Sequence, residues 1–501
     1  MVDGNNKAPT EMHTFLPVEN SKDEVLTSKY KVQVISKDPE AAATLTDHKS
    51  FDPFTERKHE NPTSDCDTLT HLLKASLGTG ILSMPYAFRN AGLVLGVFGT
   101  ILVSLICTHC SYVLVKCAHV LYHKTATTKM GFADIAESAF STGPKWCRGV
   151  SKFSRYFIQI SLFLTYFGTC SAYTVIIATN FRQVIDKYLY SNMTIATMGN
   201  STLNETINTM NATADALSNT SETDVRVIIA CLLLPLILLV WVPDLKYLAP
   251  ISMVANAFMA VGLGITFYYL VRDSPSLSSV PAVVELNRLP KFFSVTIFAM
   301  EAIGVIMPLE NNMKTPQHFV GICGVLNKGM SGVTLIYILL GFLGYLGYPN
   351  SKEDIITMDL PITEIPAQIV KIFIGLAVYC TFGLQFYVCL DIAWMGMKEK
   401  FQKSPRLAEY ILRTVLVVLC VILAILVPKI APFVGLIGAF CFSILGILAP
   451  IILEIIIYWD IGFGPCNWVI FKNIALALVG ASALVLGSID AMEEIIKVYT
   501  K

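Results

Sequence analysis

Long apolar runs follow one another through most of this chain, parted by short polar or Pro/Gly-bearing links. A run of roughly 20 apolar residues crosses a hydrocarbon core as a helix. Eleven are read, at about 68–89, 92–118, 153–179, 225–243, 247–271, 291–309, 320–346, 364–395, 408–428, 431–458 and 470–490. The pattern predicts an all-α membrane protein with eleven transmembrane helices. The first 65 residues break it. They are polar, with scattered Pro, Lys, Asp, Glu, Ser and Thr, and lack the apolar stretch of a signal peptide. They read as a disordered cytosolic tail, 1–65. A membrane domain over 66–490 and a short external C-terminus, 491–501, complete the expected organisation.

The 180–224 loop sets the expected topology. It carries five Asn-x-Ser/Thr sequons, at Asn192, Asn200, Asn204, Asn211 and Asn219, which are expected glycosylation acceptors on a lumenal or extracellular face. With an odd span count, that places the N-terminus inside and the C-terminus outside. The basic 119–152 and 396–407 loops agree with an inside location.

Two spans carry residues that a plain anchor does not need. In "HLLKASLGTGILSMP", His71 to Pro85, about ten helical residues from Thr68 rise roughly 15 Å. That puts Gly78-Thr79-Gly80 near the bilayer midplane. Paired glycines weaken helix there, and Pro85 has no amide to return to Ile81. Unwound backbone at that depth must face protein or a water-filled cavity. The Gly-x-Gly alone also suits close helix packing. The sixth span, "FFSVTIFAMEAIGVIMPLENNMK", holds Glu301, Gly304 and Pro308 and is interrupted likewise. Interrupted first and sixth spans, each opening a group of five, predict a five-plus-five inverted repeat of the LeuT type, with broken helices 1 and 6, a midplane site between them and one extra helix.

Candidate substrate contacts are therefore Gly78, Thr79, Gly80 and Ile81, whose amides suit a carboxylate, and Ala299, Met300, Glu301 and Gly304, whose carbonyls suit an ammonium. Glu301 reads equally as a proton carrier or a structural tie. His71, two turns before Gly78 on the same face, is the candidate for proton coupling, or else a satisfied polar residue near the cytosolic interface. Glu310 reads as a gate or a structural helix-end contact. Tyr166, Tyr173, Tyr379 and Tyr387 either line a cavity or pack.

Composition narrows the class further. The chain of 501 residues is 54% hydrophobic and 15% charged, with a formal net charge of +0. Soluble domains carry about 25% charged residues, and no basic excess points to nucleic acid. Most of the 13 cysteines fall inside apolar spans, where Cys acts as a small hydrophobe. Cys107-Thr-His-Cys110 has no second pair at zinc spacing. No HExxH, GxxxxGK[ST] or GxSxG occurs, so no enzyme, metal or organic cofactor is expected. No TVGYG-type filter speaks for a channel.

"TLTHLLKASLGTGILSMPYAFRNAGLVLG", "LVKCAH", "NFRQVI", "FAMEAIGVIMPLENNMK", "LQFYV" and "RTVLVVLCVILAILVP" fall in order along residues 65–490. Together they resemble the proton-coupled amino acid transporters of the amino acid/auxin permease group, insect members most. The resemblance implies eleven spans, a cytosolic N-terminus and symport of a small neutral amino acid, such as glycine, alanine or proline, with protons as coupling ion. His71 matches the family's coupling histidine. An external disulfide of the mammalian members is impossible here, since no Cys lies between Cys170 and Cys231 or between Cys323 and Cys380. Expected partners are the substrate, the lipid bilayer and, in an amino acid sensor reading, a signalling partner at the cytosolic tail. The expected location is the plasma membrane, or alternatively a lysosomal or late endosomal membrane.

Overall fold

The structure, a computed structural model, describes residues 12–13, 31–32, 51–57, 62–198, 223–242, 245–272, 280–300, 302–398 and 404–500. Side chains at 12–13, 31–32, 190–198, 245–252 and 498 lie outside that description. Apart from a two-residue antiparallel pairing of Met12–His13 with Lys31–Val32, the described residues are helical or irregular.

The helices are α1 (Asp65–Ser76), α2 (Met84–Ala91), α3 (Leu93–Thr125), α4 (Phe132–Thr142), α5 (Ser151–Met198), α6 (Val225–Cys231), α7 (Leu233–Val240), α8 (Leu245–Arg272) and α9 (Leu289–Met300). Then come α10 (Ile303–Asn312), α11 (Val325–Gly347), α12 (Ile356–Asp359), α13 (Ile365–Met397), α14 (Pro405–Leu426), α15 (Ile430–Leu436), α16 (Ala449–Tyr458) and α17 (Trp468–Tyr499). Among the described residues, nine helical segments are long and apolar enough to cross a membrane. The other two expected spans take different forms. The run at 68–89 is three pieces: α1, a 3₁₀ turn over Thr79–Ser83, and α2. The run at 225–243 is the pair α6 and α7, a shorter apolar stretch.

Local chemistry explains these boundaries. Ser64 starts α1 with a capping box: its hydroxyl accepts from the Asp67 amide at 3.2 Å, and the Asp67 carboxylate accepts from the Ser64 amide at 3.2 Å. The helix stops before Gly78, and Pro85 sits in the first turn of α2, where its missing amide costs nothing. The sixth run breaks between α9 and α10; Glu301, at the break, lies outside the described residues. The expected run at 431–458 winds as α15, a π-helix over Ile437–Leu448, and α16. Such π winding often marks a functional position.

Two hydrophobic clusters meet at the breaks. The larger holds Ile81, Leu82, Phe88, Tyr173, Phe298 and Ala299. The smaller, on the side where α1 begins, holds Leu72, Tyr122, Ile303, Ile306 and Met307. On that side, here the N-terminal face, the chain before α1 packs back on the bundle. Thr63 pairs with Met313 in a parallel bridge, flanked by Thr63 N donating to Asn312 O and Lys314 N donating to Thr63 O, each 2.9 Å. On the opposite face the short α12 lies over the 3₁₀ turn, between α5 and α13.

Candidate functional site

A cavity of about 90 Å³ lies where the two broken helices meet. Ala75, Ser76, Gly78, Thr79 and Gly80 line it from the first break, and Phe298, Ala299, Ala302, Ile303 and Gly304 from the second. Tyr166 and Tyr173 of α5, Gln385 of α13 and Phe442 of the π segment are among the residues that line the rest of the wall. Tyr173 stands beside Thr79 and Gln385.

Helix ends of both signs converge here. The 3₁₀ turn begins at Thr79 and α10 begins at Ile303, so the N-termini of both lie at the cavity. Helices α1 and α9 end beside it at Ser76 and Met300 and bring carbonyls of their last turns. Pro308 adds one more acceptor, because it has no amide to donate to the Gly304 carbonyl four residues earlier. The Ser76 hydroxyl is buried and finds no hydrogen-bond partner among the described residues. Positive and negative dipole ends across one small space suit a zwitterion, with its carboxylate at the amides and its ammonium at the carbonyls.

Two contacts hold the breaks together. A Cβ placed on Gly80 would lie 2.7 Å from Ala299 Cα, so backbone meets backbone there. From α11, the Tyr337 hydroxyl reaches both breaks, 2.5 Å from the Ser76 carbonyl and 2.9 Å from the Ala299 carbonyl. Tyr337 is fully buried. Tyr337→Phe keeps the packing and removes that donor from two buried acceptors, at a cost of about 1–3 kcal/mol. The expected result is a lower Tm in detergent. An unchanged Tm would mean that the hydroxyl does not hold the breaks.

The residues singled out from the sequence fall in different places. Gly78, Thr79, Gly80, Ala299 and Gly304 line the cavity, whereas Ile81 and Met300 are fully buried and are not among its lining residues. Glu301 lies outside the described residues. His71 is exposed on α1, one turn from the cavity-lining Ala75 toward the N-terminal face. Tyr379 turns away, donating to the Pro235 carbonyl at 2.7 Å, and Tyr387 is not among the lining residues. Asn192 is on α5 with its side chain outside the description, as are Asn200, Asn204, Asn211 and Asn219 entirely. No group of three His, Cys, Asp or Glu side chains placed to hold a metal occurs among the described residues.

Glu310 sits at the centre of a buried polar cluster on the N-terminal face. Arg57, from the segment before α1, donates to its Oε1 from both Nη atoms at 3.3 Å and to its backbone carbonyl at 3.1 Å. Both side chains are almost wholly buried. His119 Nε2 lies 3.0 Å from the same Oε1, and the Tyr122 hydroxyl donates to Oε2 at 3.0 Å. Arg57 also donates to Thr128 O at 2.7 Å and lies over the Tyr122 ring, while Phe54 meets His119 edge-on at 5.1 Å. Arg57, His119, Tyr122 and Tyr337 were not singled out from the sequence. A basic residue in a polar tail and aromatic residues in apolar spans look ordinary one at a time.

Comparison with known proteins gives a consistent result. The family described as transmembrane amino acid transporter protein matches residues 61–493. The chain is 56% identical over 497 residues to a Drosophila melanogaster protein named proton-coupled amino acid transporter-like protein pathetic, covering 99% of this chain and 97% of that one. It is 21% identical over 441 residues to the Caenorhabditis elegans probable amino acid transporter skat-1, covering 86% and 90% respectively.

Proposed function

Because the chain belongs to the transmembrane amino acid transporter family and is a multi-pass transporter rather than an enzyme, we propose that it carries small neutral amino acids, such as glycine, alanine and proline, into the cytosol together with protons. The observation that carries this reading is the convergence of helix N-termini and C-termini on one cavity of about 90 Å³. That space is several times the roughly 10–15 Å³ needed to hold one water, so it admits a small molecule. The similarity to a relative named as proton-coupled supports protons as the coupling ion. In this reading the fold is the eleven-span, five-plus-five LeuT-type arrangement, with the N-terminal face in the cytosol and the sequon loop outside. The substrate carboxylate meets the amides of Gly78–Gly80, and its ammonium meets carbonyls near Ala299–Gly304. Substrate moves only if its bound form favours closure and turning over that of the empty carrier.

The test is uptake of labelled glycine, alanine and proline at outside pH 5.5 and 7.5, with surface levels matched. Acid-stimulated uptake that loses its pH dependence in His71→Ala supports symport with His71 as coupler. Absence of uptake of any amino acid at either pH overturns it.

A second reading, an amino acid sensor of low transport capacity, is favoured by one observation. The tail residues Phe54 and Arg57 are locked against Glu310 of α10, the helix whose first turn lines the cavity. A signalling partner that captured residues 51–57 would compete with that lock. Under this reading, deletion of 1–57 abolishes signalling and leaves amino acid binding intact.

A further inference from the structure

The face opposite the tail carries half-buried acids in the loop between α11 and α13. Asp359 ends α12. Its carboxylate accepts from the Ser351 hydroxyl and lies 3.9 Å from Arg89 of α2, with the two side chains only 8% and 10% exposed. At 3.9 Å the two groups are too far apart to hydrogen-bond. Arg89 instead donates to the Glu353 carbonyl. The other charged groups around Asp359 are Glu353 of the same loop and Lys371 of α13, which donates to the Thr357 carbonyl. From α5, Gln183 donates to Met358 O at 3.4 Å and Lys187 to Ile362 O at 3.0 Å. Asp354 accepts from the Ala431 amide at the start of α15 at 3.0 Å.

These contacts make the 351–363 loop a lid. It joins α2, α5, α13 and α15 and rests on the 3₁₀ turn that bounds the cavity. Residues 79–83 and 170–178 beneath it are buried, whereas His71, Lys74 and Ala75 at the other end of the first span are exposed. The lid is therefore shut here, and a route from this face to the cavity requires it to lift.

We propose that Asp359 is a positioning residue that binds a proton from the lid's own face, so that lid closure, and with it uptake, depends on outside pH. This rests on the proposed function, which places this face outside, as does the sequon segment that follows α5. The proton here permits closure without itself crossing the membrane.

The sign follows from burial. With the lid shut, desolvation outweighs the Ser351 hydrogen bond and the Arg89 charge, and the carboxyl is raised from 3.8 to about 6. Lifting the lid returns it to water and to its ordinary range. The closed lid thus holds the proton more tightly than the open one. The stabilisation of the closed form is fully present below about 3.8 and is lost as pH rises through about 6. Between pH 5.5 and 7.5 the protonated fraction of such a group falls roughly 25-fold, which sets the ceiling on the effect.

The experiment is uptake against outside pH in cells expressing the full chain, Asp359→Asn or Ser351→Ala, each normalised to surface level. Asparagine stands in for the protonated acid, so Asp359→Asn should raise uptake at pH 7.5 toward the acid value and flatten the profile. Ser351→Ala removes a donor that favours the carboxylate and should move the midpoint to higher pH. A merely structural role would scale uptake equally at every pH. A pH-dependent parent with an unshifted profile in both variants overturns the lid proposal and leaves the proposed symport standing. A parent whose uptake ignores pH overturns both.

Discussion

Gly80→Ala should all but abolish amino acid uptake, while Gly78→Ala should retain most of it. The two glycines flank one threonine and look equivalent in the sequence. Their surroundings differ. A Cβ on Gly80 would stand 2.7 Å from Ala299 Cα and 3.0 Å from Ala299 Cβ, and neither can swing aside as the tip of a long side chain can. Among the described residues a Cβ on Gly78 finds only the Ala75 carbonyl, at 3.9 Å. Overpacking a site of the first kind costs about 1–3 kcal/mol, and here the strain falls on the backbone that shapes the cavity. A loss of uptake of at least about tenfold is expected for Gly80→Ala, at roughly 1.4 kcal/mol per tenfold, with surface levels near those of the parent. Equal behaviour of the two variants would show that contact between the breaks does not set the cavity.

Glu310→Gln should be the most destabilising polar substitution on the N-terminal face. It leaves Arg57, almost wholly buried, with an amide in place of its carboxylate, and it disturbs the contact with His119. Breaking a buried pair from one side typically costs about 3–5 kcal/mol. Arg57→Met should cost less, because His119 and Tyr122 still face the carboxylate and the methionine keeps apolar contact with Phe54 and the Tyr122 ring. The two changes should not add. Residues in direct contact couple by about 0.5–3 kcal/mol, so the double variant should melt above the temperature that the two single shifts would give together. Thermal melts of the four proteins in detergent measure this. Strict additivity would mean that Arg57 and Glu310 do not act as a pair.

The first break was legible in the sequence because Gly78 and Gly80 loosen the local backbone and Pro85 suits the first turn of α2, whereas Gly304 and Pro308 pointed to the right span but lie inside α10, past the second break. Glycine and proline act through conformations and missing amides, which neighbours in the chain suffice to foretell. The apolar spans were legible for a similar reason, since bilayer thickness sets a minimum apolar length that nine helical segments among the described residues meet. The Tyr337 bridge was not legible. Its partners lie 261 and 38 residues away, and a tyrosine in an apolar span has the same sequence context whether or not its hydroxyl meets a carbonyl. Arg57 was hidden by composition. The polar tail reads as solvated, yet residues 51–57 and 62–64 pack against α3 and the end of α10. Asp359 was hidden by its loop, because an acid between spans looks exposed until the fold buries it. Glu310 was noticed, since a carboxylate near a span end needs a reason, but the groups that surround it come from distant segments.

Tyr337 also sets a limit on how the breaks can be occupied. Its hydroxyl carries a single hydrogen, and two carbonyl oxygens lie within reach of it. At any instant only one of them receives that hydrogen. The other must take its hydrogen from elsewhere. The two breaks therefore compete for one donor, and a shift of either helix end by a fraction of a hydrogen-bond length decides which of them holds it.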